Sequence, residues 1–201
     1  METFELLTSL AHEQIVIARH PTLDATAIIG VHNTNRGPEV GGIRCKSYDN
    51  FEEDLKDVLR LSSAMTYKNS LCGISFGGGK SVIAVGANAL TNRRELFKWF
   101  GEQLNQLNGA YLAAEDVGTC VADIDIIKEV SPHVVGTDQT KGGSGDPSPY
   151  TALGVFRGIQ ASSQFVFGHE NIASLKIAIQ GVGNVGSNLT KLLREQGATV
   201  Y

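Results

Sequence analysis

Residues 175–186 read LKIAIQGVGNVG, an apolar run that passes into Gly181, Gly183 and Gly186 before a helical pattern resumes through about Glu195. Strand, tight turn and helix in immediate succession satisfy this order. In a dinucleotide fold the first glycine allows the tight turn and the second lets backbone approach a pyrophosphate. The third lets the helix pack closely on the sheet. The helix amides and dipole then favour the phosphate charge. Gly181, Gly183, Asn184, Val185 and Gly186 are therefore candidate cofactor contacts, although a ligand-free strand–helix turn can use the same glycines. Gly197 ends the helix and Ala198–Tyr201 begin another strand. The acid that such folds place after their second strand, to hold a ribose, would lie past Tyr201. The expectation is an incomplete nucleotide domain.

Upstream, strand and helix signals alternate. Residues 1–12 predict a helix with Phe4, Leu6, Leu7 and Leu10 as apolar positions, and Ala27–Val31 and Gly41–Cys45 predict strands. Asn50, with Glu53 three residues later, predicts a capped helix to about Tyr67, with Phe51, Leu55, Val58, Leu59 and Met65 on one face. Leu71–Phe76 reads as a short strand that Gly77, Gly78 and Gly79 interrupt, before a further strand from Lys80. Asn92 and Glu95 predict a second capped helix that buries Leu96, Phe97, Phe100, Leu104 and Leu107 and ends near Gly109. Tyr111–Ala114 predicts a strand, Ala122–Val130 a helix with Ile124, Ile127 and Val130 inward, and Val134 and Val135 another strand. The segment DQTKGGSGDPSP, 138–149, is the strongest loop signal, with Ser148 as cap and Pro149 opening a helix. The reading is an α/β chain with domains at 1–140 and 141–201.

Three side chains in the first domain can carry chemistry: Lys68 in MTYKNS, Lys80 in GGGKS and Asp116 in AAEDVG. A lysine in apolar surroundings or beside another cation loses proton affinity and can serve in acid–base catalysis. Equally, Lys68 can be a helix-end cation and Lys80 a surface residue at a strand start. Asp116, just after a strand, suits either a functional site or the cap of the helix near residue 122. GGGKS is not a phosphate loop, because Ile74 stands where GxxxxGK needs glycine.

With 17 basic against 21 acidic residues and a net charge of -4, the chain lacks the basic stripe of a nucleic-acid binder. Cys45, Cys72 and Cys120 are scattered and do not form a disulfide framework, which points to a reducing, cytoplasmic compartment, with Cys72 as a small core residue; they also show no CxxC. Tyr67, Trp99 and Tyr111 read as packing residues. The five histidines show no metal-ligand spacing, so no metal is expected. No apolar run reaches membrane-spanning length, and METFELLTSLAHEQ lacks the basic start of a signal peptide.

Five ordered segments carry a resemblance: GPEVGGIR at 37–44, LRLSSAMTYKNSLCGISFGGGKSVI at 59–83, LNGAYLAAEDVGT at 107–119, GDPSPYTALGVFRGI at 145–159, and IAIQGVGNVG at 177–186. With them the chain resembles the leucine, phenylalanine, valine and tryptophan dehydrogenases of the glutamate dehydrogenase superfamily. That resemblance implies an amino-terminal substrate and assembly domain, the start of a Rossmann-like domain for NAD, and catalysis in the cleft between them. It implies reversible oxidative deamination of a neutral L-amino acid to a 2-oxo acid and ammonia by a homo-oligomer. By resemblance Lys68 binds the substrate carboxylate, Gly41 and Gly42 line the pocket with backbone, and Lys80 and Asp116 are catalytic. Val40 and Ala114 shape the side-chain pocket and offer no charge for a second carboxylate. Ser148, Pro149 and Thr151 lie near the nicotinamide. Asp146 stands where the family's hinge has asparagine, and Cys120 where a threonine-like residue is usual. The 201 residues alone are expected to be inactive. The competing reading is a non-catalytic amino-acid-binding or oligomerisation module.

Overall fold

A computed structural model describes all residues except 1–4, 6 and 7. Phe4, Leu6 and Leu7 of the expected amino-terminal helix lie outside the described residues, whereas Leu10 packs beside Leu55, Val58 and Leu59. The chain divides into two compact units, Met1–Gly145 and Asp146–Tyr201.

The first unit is built on a mixed five-stranded sheet. Its strands are β1 (Gln14–Arg19), β2 (Ala25–Asn33), β3 (Glu39–Lys46), β4 (Gly77–Val85) and β5 (Tyr111–Glu115), in the order β1-β2-β4-β3-β5. The β2 strand runs antiparallel to β1 and β4, while β3 runs parallel to β4 and β5. Alternation along the strands separates two cores. Ile28 and Val82 face helix α1 (Phe51–Leu71), which buries Leu55, Val58 and Leu59 against them. Ile29, Ile43 and Ile83 belong to the other core, with Phe97 and Phe100 from α2 (Arg93–Asn105) and Ile124 and Ile127 from α3 (Val121–Lys128).

Both expected caps form: Asn50 accepts from the Glu53 amide at 3.0 Å, and Asn92 from the Glu95 amide at 3.4 Å. The boundaries near the glycine run differ from expectation. The α1 helix continues to Leu71, so no strand occupies 71–76, and Gly77–Gly79 are the first three residues of β4. Their backbone pairs with β2 and β3, and the neighbours leave no room for a side chain. A β-carbon on Gly78 would lie 1.9 Å from the Thr66 amide nitrogen of α1, and one on Gly79 would lie 2.6 Å from the Tyr111 ring. Tyr67 and Phe51 are exposed, and Cys72, expected in the core, is exposed just past α1. Val130 is only partly buried, and Val134 makes a single bridge to Ala113 in place of a strand.

The second unit contains α4 (Ser148–Phe167), β6 (Lys176–Ile177), α5 (Asn184–Glu195) and β7 (Thr199–Val200), with β6 and β7 parallel. Ala152 and Phe156 of α4 pack with Leu189 and Leu193 of α5, Ile172 and Ala198. The helix begins one residue earlier than the expected cap at Ser148, which is helical and buried; Pro147 takes the cap position. Asp146 accepts the Ser148 amide at 2.7 Å and so supports the helix start.

Candidate active site

The β4 strand carries Lys80 on its α1-facing side, in register with Gly30 of β2. On the other flank lies Gly42 of β3, which pairs with Ala114 of β5. A β-carbon on Gly42 would sit 3.0 Å from Lys80 Nζ and 2.6 Å from the Asp116 β-carbon. Glycine at this position thus leaves the room in which the lysine and the aspartate meet. Their Nζ–Oδ2 distance is 3.0 Å.

Lys80 is therefore not a surface residue at a strand start; it is 5% exposed. Nor does Asp116 cap the following helix. That cap is Cys120, whose backbone amide donates to Asp123 at 2.8 Å. Thr119 holds the Asp116 turn instead, its hydroxyl accepting the Asp116 amide and bonding to the Ile43 carbonyl.

Arg44, two residues after Gly42, completes the cluster. Its Nε donates to Asp116 Oδ2 and its Nη1 to Asp57 Oδ2 on α1, each at 2.9 Å. Tyr48 donates its hydroxyl proton to the same Asp57 oxygen at 2.7 Å. Burial pushes the Lys80 ammonium below the ordinary lysine range, against the opposing pull of Asp116. Burial alone would raise Asp116, but Lys80 and then Arg44 hold its carboxyl below the usual carboxylate range. The pair can stabilise charge on an oxygen and exchange a proton at adjacent atoms.

Val40 and Ala114 are half-buried on the same sheet face as Gly42. Gly41 faces the opposite side, where a β-carbon would strike the Gly79 carbonyl oxygen at 1.7 Å and Tyr111 donates to the Gly41 carbonyl at 2.9 Å. Its missing side chain admits a strand neighbour. Lys68 is exposed in the last turn of α1, and among the described residues no hydrogen bond or ion pair joins it to the Lys80 cluster. Sequence reading assigned no role to Arg44, Asp57 or Tyr48. The two-residue spacing of Gly42 and Arg44 was the available signal, since it puts both on one strand face; nothing in the sequence marked Asp57 as their partner.

In the second unit, Gly181 has φ +91°, and Gly186 would place a β-carbon 2.2 Å from the Gly181 carbonyl oxygen. Those two glycines close the turn onto the helix. A β-carbon on Gly183 would meet nothing within 4 Å, leaving open space above backbone that leads into α5. This combination fits a pyrophosphate-bearing cofactor, with Asn184 exposed and Val185 packed against the unit's core. Thr151 turns its hydroxyl to the Pro147 carbonyl at 3.0 Å, while Pro149 is exposed in the first turn of α4. Among the described residues, no group of three or more His, Cys, Asp or Glu could hold a metal, and no helix is long and apolar enough to cross a membrane.

Comparison with known proteins matches residues 12–132 to the Glu/Leu/Phe/Val dehydrogenase dimerisation domain and residues 142–201 to Glutamate/Leucine/Phenylalanine/Valine dehydrogenase. Leucine dehydrogenase of Bacillus subtilis (strain 168) is 43% identical over 200 residues, covering 100% of this chain and 55% of the relative. Phenylalanine dehydrogenase of Thermoactinomyces intermedius is 43% identical over 197 residues, covering 98% and 54%. The crystal structure of L-tryptophan dehydrogenase from Nostoc punctiforme superimposes with a TM-score of 0.71 at 35% identity, covering 98% of this chain and 55% of that one. The chain thus spans about half the length of the relatives it matches.

Proposed function

The chain belongs to the Glu/Leu/Phe/Val dehydrogenase family, and from that premise we propose that the whole protein catalyses reversible NAD-dependent oxidative deamination of a neutral L-amino acid. The products are the 2-oxo acid, ammonium ion, NADH and a proton, with water supplying the carbonyl oxygen. The observation that carries this reading is the buried Lys80–Asp116 contact of 3.0 Å beside Gly42.

Lys80 is the group that stabilises negative charge on the substrate oxygen during water addition and carbonyl formation. Its lowered proton affinity also suits it to take a proton from that water. Asp116 exchanges protons with the amino nitrogen; its acidity keeps it ionised and ready to accept one. Lys68 supplies an exposed cation for the substrate carboxylate. Val40 and Ala114 offer an apolar wall without a charge for a second carboxylate, which favours neutral amino acids over glutamate.

The nicotinamide ring supplies the hydride acceptor, and Gly181, Gly183, Asn184, Val185 and Gly186 are the residues that would hold its pyrophosphate. Ser148, Pro149 and Thr151 remain candidates for the nicotinamide end. Assembly through the first unit is part of this reading, supported by its match to a dimerisation domain.

The test measures NADH formation by the full-length protein with leucine, valine, phenylalanine, tryptophan and glutamate. Turnover should be highest with a neutral substrate. Lys80→Ala and Asp116→Asn should each lower kcat by roughly 100-fold or more, the loss typical of a general acid–base group. Lys68→Ala should chiefly raise KM. A preference for glutamate, or near-normal kcat in both cluster variants, overturns the reading.

A further inference from the structure

We propose that Arg44 is the positioning residue of the Lys80–Asp116 pair, clamped from behind by Asp57 and Tyr48. The proposal rests on the dehydrogenase reading for what the pair acts on. Its geometry is independent of that reading.

Asp116 Oδ2 receives two cations at once, Lys80 Nζ at 3.0 Å and Arg44 Nε at 2.9 Å. Both contacts fall on the same carboxylate oxygen. Two donors converging on one oxygen fix the plane of the carboxylate and leave the other oxygen for proton exchange. The guanidinium can do this because its second arm is anchored at Asp57, 2.9 Å away, and Asp57 is itself held by the Tyr48 hydroxyl. The chain Tyr48–Asp57–Arg44–Asp116–Lys80 thus runs from the segment after β3, through α1 and back to β3, to the segment after β5 and finally β4. Arg44 and Asp57 side chains are 20% and 27% exposed, so both anchors are partly shielded from solvent.

The clamp also sets charge. The titratable groups acting on Lys80 are Asp116, Arg44 and Asp57; those on Asp57 are Tyr48, Arg44 and Lys46. The positive charge of Arg44 disfavours a second one on Lys80, whereas the negative charge of Asp57 favours it. Removing each charge therefore moves the Lys80 titration in opposite directions. A residue that merely supports packing has no such signature.

Competitive acetylation of the 201-residue chain by acetic anhydride across a pH series, read by mass spectrometry of the Lys80 peptide, measures this directly. Exposed Lys68 serves as the internal reference. Arg44→Gln should raise the Lys80 midpoint and Asp57→Asn should lower it. Each shift should be on the order of half a pH unit or more, the effect of one charge several ångströms away. Unchanged midpoints, or shifts matched by Lys68, overturn the proposal. If circular dichroism shows Arg44→Gln unfolded, Asp57→Asn decides alone: a lower midpoint supports the clamp and an unchanged one refutes it.

In the full-length protein, Arg44→Lys keeps the charge but loses the fork. It should lower kcat roughly tenfold through misorientation while leaving the pH profile in place. Normal kcat in Arg44→Lys refutes the positioning role. Absence of turnover with every amino acid in the unsubstituted protein would refute the dehydrogenase reading, while the acetylation midpoints still decide the clamp.

Discussion

The two units use clustered glycines for different physical ends. In the first, Gly41, Gly77, Gly78 and Gly79 are small because something already occupies the space a side chain would take: the Gly79 carbonyl, the Asn33 carbonyl, the α1 backbone, and the Tyr111 ring with the Glu39 carboxyl. In the second, Gly186 is crowded by the Gly181 carbonyl, but Gly181 and Gly183 have nothing within 4 Å. Crowded glycines let backbone meet backbone within the fold. Open ones leave backbone free to meet something else. A glycine-rich sequence therefore has two meanings, which the surroundings of each residue distinguish.

The largest effect should come from filling a crowded position. Gly78→Ala puts a methyl group 1.9 Å from the Thr66 nitrogen, and a helix backbone cannot rotate away as a side chain can. It should destabilise the first unit by about 4 kcal/mol or more, at the severe end for a single substitution. Urea unfolding monitored by circular dichroism measures this; a midpoint close to that of the unsubstituted chain would break the contrast at its strongest point.

The Glu39 carboxyl gives the next effect, because it fills space over Gly79. Glu39 is fully buried, its Oε1 accepts the Asn33 amide at 2.5 Å, and its Oε2 has no hydrogen-bond partner among the described residues. Burial pushes this carboxyl up to about 8 from its ordinary 4.5. The protonated form favours the fold, so its contribution is complete below the ordinary value and is lost as pH rises through about 8. Glu39→Gln cannot ionise. Its stability should fall less across that interval, by a few kcal/mol, than that of the unsubstituted chain. Parallel stability–pH curves for the two proteins would remove Glu39 as a titrating group.

The smallest stability effect should separate two glycines of one turn. Gly183→Ala, pointing into open space, should cost under about 1 kcal/mol. Gly186→Ala should cost about 2 kcal/mol or more, because its methyl group meets the Gly181 carbonyl oxygen at 2.2 Å. In the full-length protein, Gly183→Ala should nevertheless weaken NADH binding, measured by fluorescence titration, if the open space is where the pyrophosphate lies. Unchanged NADH affinity would leave Gly183 with no ligand to account for its openness.

Local pattern made most secondary structure legible. Asn50 and Asn92 with glutamates three residues on announced α1 and α2, and the spacing of Leu55, Val58 and Leu59 announced the face that α1 buries. Those signals are local, because caps and helical periodicity act within a few residues. The GxGxxG turn was legible for the same reason. The ordered motifs also carried the family, since each fixes residue types at positions that chain order alone preserves.

What sequence left open depended on residues far apart in the chain. Whether Gly77–Gly79 break a strand or open one was decided by the β2 and β3 backbone they pair with. Whether Asp116 caps a helix or meets Lys80 was decided by Gly42, which leaves the room, and by Cys120 and Asp123, which make the cap instead. Arg44 and Asp57 became partners only when α1 folded across the sheet and brought them to 2.9 Å. Sequence determined the capped helices and the glycine turn because the forces that start and stop them are local. Tertiary structure decided which polar groups are buried together, and so which are charged, because desolvation and ion pairing depend on neighbours that only the packed chain supplies.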